Sequence, residues 1–232
     1  MASALDTRRS FLVKGTLLTA GAVTAPGLAS ALQEKKGEEV EVSPTEDLMR
    51  EHGLLNRVLL IYDDLGRRLR SNTTFDPKVL AGAAGIIHNF IEQYHEKLEE
   101  DHLFPRLEKA GKLVDLVKTL RAQHAAGRVV TGRIEQMATA ATLNDAKSRQ
   151  QLEIQLAAFV RMYRPHEARE DTILFPEIHW IVSKSEFEAL GDDFEKKEHE
   201  MFGEEGFEGQ VQRVGELEKS LGIYELAQFT PK

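Results

Sequence analysis

The chain has 232 residues, enough for one substantial domain or two small ones, with 29% charged and 41% apolar residues. It contains no cysteine, which excludes disulfides, thiolate zinc sites, iron–sulfur clusters and thiol catalysis. The formal net charge is -8 and no strongly basic stretch follows the N-terminal region, so nucleic acid is not an expected partner.

Residues 1–31 are predicted to be an export signal that lies outside the fold. Arg8 and Arg9, followed by an apolar pair and a lysine, resemble the twin-arginine signal, whose export machinery carries proteins that are already folded. The apolar stretch 15–28 is too short and too weak to span a membrane, so no stable transmembrane segment is expected. Ala31 completes a small-x-small cleavage pattern. We therefore expect an exported protein, periplasmic or otherwise extracytoplasmic.

The first predicted helix follows a charged linker at 32–42. Ser43 can cap this helix, Pro44 suits its first turn, and Glu46 can close a capping box. Its inward-facing positions are spaced mostly four and three apart, the period of a bundle helix. They are Leu48, His52, Leu55, Leu59, Tyr62 and Leu69. His52 therefore stands where an apolar residue is expected.

The second predicted helix begins at Asp76-Pro77, and Pro105 should end or kink it near Phe104. Its inward positions include Leu80, Ala84, Ile87, Ile91, His95, Leu98, Glu99 and His102. Gly111 marks a short connection to the third predicted helix. The inward positions of that helix are Leu113, Val117, Leu120, His124, Gly127, Thr131 and Ile134.

A polar stretch at 144–148 precedes the fourth predicted helix. Its inward positions are Leu152, Leu156, Phe159, Tyr163, His166, Glu170 and Ile173. Pro165 lies inside this helix and removes a backbone hydrogen bond, so a kink is expected there. Two further helices are expected between 185 and 223, broken at Gly203 and Gly206.

These patterns predict an all-α protein. We expect an up-down four-helix bundle at 43–180, with a C-terminal helical extension at 181–232. Each of the four bundle helices places at least one histidine at an inward-facing position.

The second and fourth helices carry the same motif, H-E-x-x-E-[ED]-x-x-L-F-P, at 95–105 and 166–176. The His and the second Glu of each copy are four residues apart, so they lie on one face of a helix. A lone inward histidine is usually a hydrogen-bonded core residue, but two unpaired buried carboxylates would be costly without cations. The residues predicted to hold metal are His52, His95, Glu99, His124, His166 and Glu170.

Other metal motifs do not fit this chain. A zincin H-E-x-x-H motif would need a second His where both copies have Glu. The ferritin-like E-x-x-H pattern occurs once, at Glu99 and His102, and the matching position of the other copy is Ile173. The remaining histidines are interpreted as supporting, structural or exposed residues: His88, His102, His179 and His199.

These residues resemble the hemerythrin-like (HHE) cation-binding domain over about 43–180. The segment 159–176 is similar to the family's fourth-helix signature, and 123–128 resembles its third-helix signature. The resemblance implies a non-haem di-iron centre bridged by two carboxylates. The implied terminal ligands are His52, His95, His124 and His166, and the implied bridges are Glu99 and Glu170.

One position departs from the oxygen-carrying members of that family. They have a second His four residues after the third-helix His, where this chain has Arg128. In a branch without that His an extra carboxylate substitutes, and Glu96, with its repeat mate Glu167, would be that carboxylate. Asp171 is an alternative bridge, because the oxygen carriers use an Asp five residues after the fourth-helix His. Only one of Glu170 and Asp171 can point inward.

The expected function follows from this ligand set. Imidazole and carboxylate suit iron, manganese or zinc, and the resemblance and the export route favour two iron ions. The leading hypothesis is a protein that binds or senses O2 or a related small oxidant such as peroxide or NO. One alternative is a catalase-like or peroxidase-like enzyme that removes hydrogen peroxide. Another is a binding or regulatory module that depends on iron for folding.

Overall fold

The computed structural model describes residues 42–231. The predicted twin-arginine signal, its cleavage site and nearly all of the linker fall at 1–41, outside the described residues. From Pro44 onward the chain forms one compact unit. Every regular element of that unit is helical, which confirms the all-α prediction. No helix within 42–231 combines the length and apolarity needed to cross a membrane.

The first bundle helix is α1, Pro44–Arg70. Its first turn carries Glu46 and Asp47, and its last turn is rich in arginine. This placement of charge favours a helix, because the N-terminal end of the macrodipole is positive and the C-terminal end negative. His52 lies on the buried face of α1, between leucines of the core.

The second bundle helix (77–110) is interrupted twice by π-helical hydrogen bonding. It begins as α2, Pro77–Ile86, with the Asp76 side chain accepting a hydrogen bond from the Lys78 amide. The later segments are a π-helical stretch Ile87–His95, α3 at Glu96–Leu98, a second π-helical stretch Glu99–Leu103, and α4 at Phe104–Ala110. Gly111 ends the helix in the left-handed conformation, with φ of 67°.

Pro105 was expected to end or kink this helix near Phe104, and the structure shows that it does not end it. The chain stays helical to Ala110, with Pro105 in the first turn of α4, directly after the second π-helical stretch. We attribute this to the wider turn, which relieves the clash that a proline ring makes with the preceding turn of an α-helix. The Arg121 guanidinium donates to the Glu100 carbonyl, 3.3 Å away, in this same turn.

The third bundle helix is α5, Val114–Met137, and the polar connection after it contains the short α6, Ala140–Asn144. The fourth bundle helix (146–181) starts with α7, Ala146–Arg169, which stays α-helical through Pro165. It continues as a π-helical stretch Glu170–Leu174 and ends with α8, Phe175–Ile181. The two copies of the sequence motif therefore share one backbone design, with a π-helical stretch that begins at the second Glu.

The π-helical stretches shift the register of the residues that follow them. Ile173 was predicted to face inward but is 45% exposed, and Leu174 is buried instead. In the other copy His102 is only partly buried and Leu103 faces the core. An i→i+5 turn adds one residue to the turn, so the fourth residue after each Glu comes inward rather than the third.

The four bundle helices close into a ring in which each contacts the next, and the fourth contacts the first. Two more helices, α9 at Lys184–Phe202 and α10 at Gly206–Leu221, pack on α1 and the second bundle helix. The predicted break between them is confirmed: Gly203 and Gly206 both have positive φ. A double ion pair from Arg57 to Glu218, at 3.0 and 2.5 Å, ties α10 to α1.

Gly127 makes room for a buried tyrosine near the middle of the bundle. A Cβ at this position of α5 would overlap the Tyr163 hydroxyl and lie 2.9 Å from its Cζ. Tyr163 is almost fully buried and stacks on Phe159 at 4.3 Å between ring centroids. The third and fourth bundle helices therefore depend on a glycine for their close approach.

We expect Gly127→Ala to lower the free energy of unfolding by about 1–3 kcal/mol, because the rigid, packed Tyr163 ring must move. Gly132→Ala is the matched control on the same helix. Nothing lies within 4 Å of a Cβ there, so this change should raise stability by about 0.5–1 kcal/mol. Urea denaturation of both variants measures the difference, and equal effects would contradict the packing described here.

Candidate metal centre

Four buried histidines face one another in pairs at the centre of the bundle. The Nε2 atoms of His52 and His95 are 3.0 Å apart. Those of His124 and His166 are 3.1 Å apart. None of these side chains is more than 3% exposed. Each pair joins neighbouring helices, and all four Nε2 atoms point into a common interior.

Two buried carboxylates lie between the histidine pairs. Glu99 places one oxygen 3.8 Å from the Nε2 of His95 and the other 3.5 Å from the Nε2 of His124. One oxygen of Glu170 is 3.1 Å from the Nε2 of His166 and 3.5 Å from that of His52. Each carboxylate therefore reaches one histidine of each pair, the arrangement required to bridge two ions.

The carboxylate oxygens provide a test of whether metal fits here. All four oxygens of Glu99 and Glu170 are buried, and none accepts a hydrogen bond of good geometry. A buried polar atom left in this state costs roughly 1–3 kcal/mol. Two groups with ligand atoms close enough for one ion each are present, His52–His95–Glu99 and His124–His166–Glu170. The residues therefore fit a pair of divalent cations.

The electrostatics of the protein without metal agree with this interpretation. Burial and the nearby charge of Glu170 raise the pKa of Glu99 well above its usual range. Burial lowers the pKa of His52, but the hydrogen bond to Asp171 and the charges of Glu170 and Asp171 outweigh it and raise that pKa to about 10. Both shifts favour protonated forms, and a pair of dications would displace those protons.

The outer nitrogen of each histidine also has a partner. The Nδ1 atom of His52 lies 2.7 Å from an oxygen of Asp171, and that of His95 lies 2.7 Å from Glu51. In the other pair, the distances are 3.0 Å from His124 to Glu100 and 2.9 Å from His166 to Gln123. Such partners fix the ring orientation and leave Nε2 free to bind metal.

The Leu-Phe-Pro end of each motif supports the histidines of the other two helices. Phe104 stacks on His124, and Phe175 stacks on His52, each with ring centroids 5.6 Å apart. The planes are tilted by only 24° and 18°. The phenylalanines therefore form apolar walls for the site, a role that the repeat itself did not reveal.

Glu96 lies beside the two predicted half-sites, where its carboxylate contacts Tyr163 and Arg128. One of its oxygens accepts a hydrogen bond from the Tyr163 hydroxyl at 2.7 Å. The other is 2.7 Å from Nη2 of Arg128. Burial raises the pKa of Glu96 to about 8. Although Glu96, Glu100 and His124 could together hold a cation, the Arg128 guanidinium already lies against both carboxylates.

The remaining candidate residues lie around the centre. Asp171 is 34% exposed and contacts the outer nitrogen of His52, whereas Glu170 points inward. Glu167, the repeat mate of Glu96, is buried beside Asn56, and burial raises its pKa to about 7. The other four histidines lie outside the group of six ligand candidates: His88, His102, His179 and His199.

Comparison with known proteins identifies the family to which this helical bundle belongs. The family model of the hemerythrin HHE cation binding domain matches residues 43–178, with an overlapping match at 115–227. The chain belongs to the hemerythrin HHE family. Within the described residues, every His and Glu group that could hold a cation lies at 52–170, inside the first match.

The chain also has relatives among curated proteins. Uncharacterized proteins of Mycobacterium tuberculosis and Mycobacterium bovis are each 50% identical to it over 194 residues. The similarity covers 84% of this chain and 76% of each relative. No solved structure gives a significant match.

Sequence reasoning missed three partners of the outer nitrogens, which are Glu51, Glu100 and Gln123, and it gave Asp171 a different role. Glu51 and Gln123 each directly precede a histidine of the site and contact a histidine of the following helix. A signal was available in the sequence. His52 and His124 have no carboxylate four residues later, and the residues directly before them, Glu51 and Gln123, are both polar. Their contacts, however, depend on how neighbouring helices are rotated, which the sequence pattern does not specify.

We expect Glu99→Gln to separate metal binding from folding. Because burial raises the pKa of Glu99 and favours its neutral form, the neutral amide should leave the metal-free variant at least as stable as the original protein. Ferrous iron at 100 times its Kd should stabilise the original protein by about 2.7 kcal/mol and the variant far less. Glu108→Gln, an exposed carboxylate on the same helix, is the control. Anaerobic thermal unfolding with and without Fe²⁺ measures this, and an unchanged response to iron would contradict the assignment.

Proposed function

We propose that this chain holds two iron ions between its histidine pairs and binds O2 or a related small oxidant there. The observation that carries the proposal is the position of Glu99 and Glu170, whose oxygens reach both pairs and have no other partner of good geometry. Imidazole and carboxylate ligands are equally compatible with manganese or zinc. Membership of the hemerythrin family favours iron.

The burial of the site supports a small ligand. All six ligand candidates are at most 3% exposed, and Phe104 and Phe175 line the histidines. Iron in such a site would supply electrons to an oxidant. The protein side chains would orient the histidines, exclude water and leave room for only a few atoms. This favours O2, peroxide or NO over a larger substrate.

A second candidate function is the removal of hydrogen peroxide. Tyr163 lies next to the site, with its ring centroid 5.4 Å from that of His166, and its hydroxyl donates to Glu96. Arg128 takes the position of the extra histidine of the oxygen carriers and binds this carboxylate instead. The hydrogen-bonded pair of Tyr163 and Glu96 could relay a proton beside the centre, which suits peroxide turnover better than reversible binding.

We expect the anaerobically reconstituted protein to hold about two iron ions per chain. His95→Ala should lower this number, whereas His199→Ala, outside the site, should not. Reversible absorbance changes under O2 without a product would support O2 binding. Less than one iron per chain in the original protein would contradict the proposal.

The two functions differ in their dependence on Tyr163. If the protein removes peroxide, it should release O2 steadily from hydrogen peroxide, and Tyr163→Phe should slow this by a factor of about 10²–10⁴ while iron content is unchanged. If neither activity is found but iron still raises the melting temperature, the remaining reading is an iron-dependent regulatory module.

We further propose that the protein crosses the membrane by the twin-arginine pathway with its metal already in place. Copper and zinc out-compete ferrous iron for most nitrogen and oxygen sites. If iron is bound before export, the deep burial of this centre would slow its replacement by copper or zinc outside the cytoplasm.

The export proposal makes a separate prediction. The charge-conserving double change Arg8→Lys with Arg9→Lys should retain the protein in the cytoplasm, because the twin-arginine signal requires arginine at both positions. Lys35→Arg with Lys36→Arg, in the predicted linker, should leave export unchanged. Fractionation of cells that express each form measures this, and export of the Arg8/Arg9 double variant would contradict the proposal.

A further inference from the structure

The metal centre consists of two halves related by the internal repeat. The carboxylate after each bridging Glu contacts the outer nitrogen of a histidine on another helix: Glu100 with His124, and Asp171 with His52. The residue before each of those histidines does the same for the remaining pair: Glu51 with His95, and Gln123 with His166. Every contact in one half thus has a counterpart in the other.

The charges do not follow this symmetry. Around His52 and His95, both outer nitrogens contact a carboxylate, Asp171 and Glu51 respectively. The Glu51 side chain is fully buried. Around His166 the corresponding partner is the neutral amide of Gln123. The two halves therefore differ by one carboxylate in direct contact with a ligand.

Two cationic side chains increase the difference in charge between the two halves. The Glu100 carboxylate that contacts His124 is also 2.7 Å from Nη2 of Arg128 and 2.5 Å from Nζ of Lys97. The residue that corresponds to Arg128, four positions after His52, is the neutral Asn56. The negative charge of Glu100 beside His124 is therefore partly neutralised by the side chains of Arg128 and Lys97.

We infer that the two metal positions are unequal, and that the His52–His95 position binds the first ion more tightly. A carboxylate on the outer nitrogen makes an imidazole a stronger metal ligand, and loss of such a partner typically weakens metal affinity 10–100-fold. Glu51 and Gln123 are the positioning residues that set this difference. The inference rests on the two-metal site proposed above and adds the order in which the two positions fill.

The test uses Co²⁺ as the probe, because its absorption reports its ligands. Metal-free full-length protein is titrated with Co²⁺ under competition with a chelator of known affinity. We expect two steps that differ by at least about 10-fold in Kd. Anomalous diffraction from crystals with less than one Co²⁺ per chain should place the ion at His52–His95.

Reciprocal variants decide which residues cause the inequality. Glu51→Gln should weaken the first step about 10–100-fold and leave the second nearly unchanged. Gln123→Glu should tighten the second step by a similar factor. Since Gln123 is only partly buried, the Gln123→Glu variant should fold even if the Glu51→Gln variant does not. Circular dichroism of the metal-free forms checks the fold.

The outcomes separate this inference from the proposed function. Fewer than two Co²⁺ per chain would contradict the two-metal site itself. Two ions that bind with equal affinity, or a first ion at His124–His166, would overturn only the inequality. An unchanged second step in Gln123→Glu would likewise overturn the role given to that position.

Discussion

The structure depends on two carboxylates that are buried together without enough hydrogen bonds. Glu99 and Glu170 face each other's histidines in the centre of the bundle, and their oxygens lack protein donors of good geometry. In an apolar core such an arrangement opposes folding, because each carboxylate must either lose its hydration as a charge beside the other or take up a proton. Bound dications would turn this cost into favourable coordination. The imidazole nitrogens and carboxylate oxygens of the interior are therefore arranged as ligands for cations.

The repeated motif explains how one short helical segment can serve several purposes at the centre. Its His and second Glu face the centre, and the next acidic residue reaches the outer nitrogen of a histidine on a neighbouring helix. Its Phe covers the same neighbouring ring. These directions are not all available on a regular α-helix, and the π-helical stretch that begins at the second Glu of each copy supplies the difference. Such stretches are frequent at functional sites.

Much of this could be predicted from the sequence, and the exceptions have physical causes. Hydrophobic periodicity predicted the bundle helices. It also predicted that His52, His95, His124 and His166 face the interior, because helical spacing places them on the apolar faces. The π-helical stretches could not be predicted, since no residue type requires them, and so the inward position after Glu170 was assigned to Ile173 rather than Leu174. The contacts of Glu51 also depend on the rotation of neighbouring helices, which periodicity does not describe.

The central claim is that Glu99 and Glu170 bridge two metal ions, each held by one histidine pair. The most direct measurement is anomalous diffraction at the iron edge from crystals of the anaerobically reconstituted protein. The account predicts two peaks, one at the Nε2 atoms of His52 and His95 and one at those of His124 and His166, with the carboxylates between them. A single peak, or iron bound only outside this layer, would contradict it.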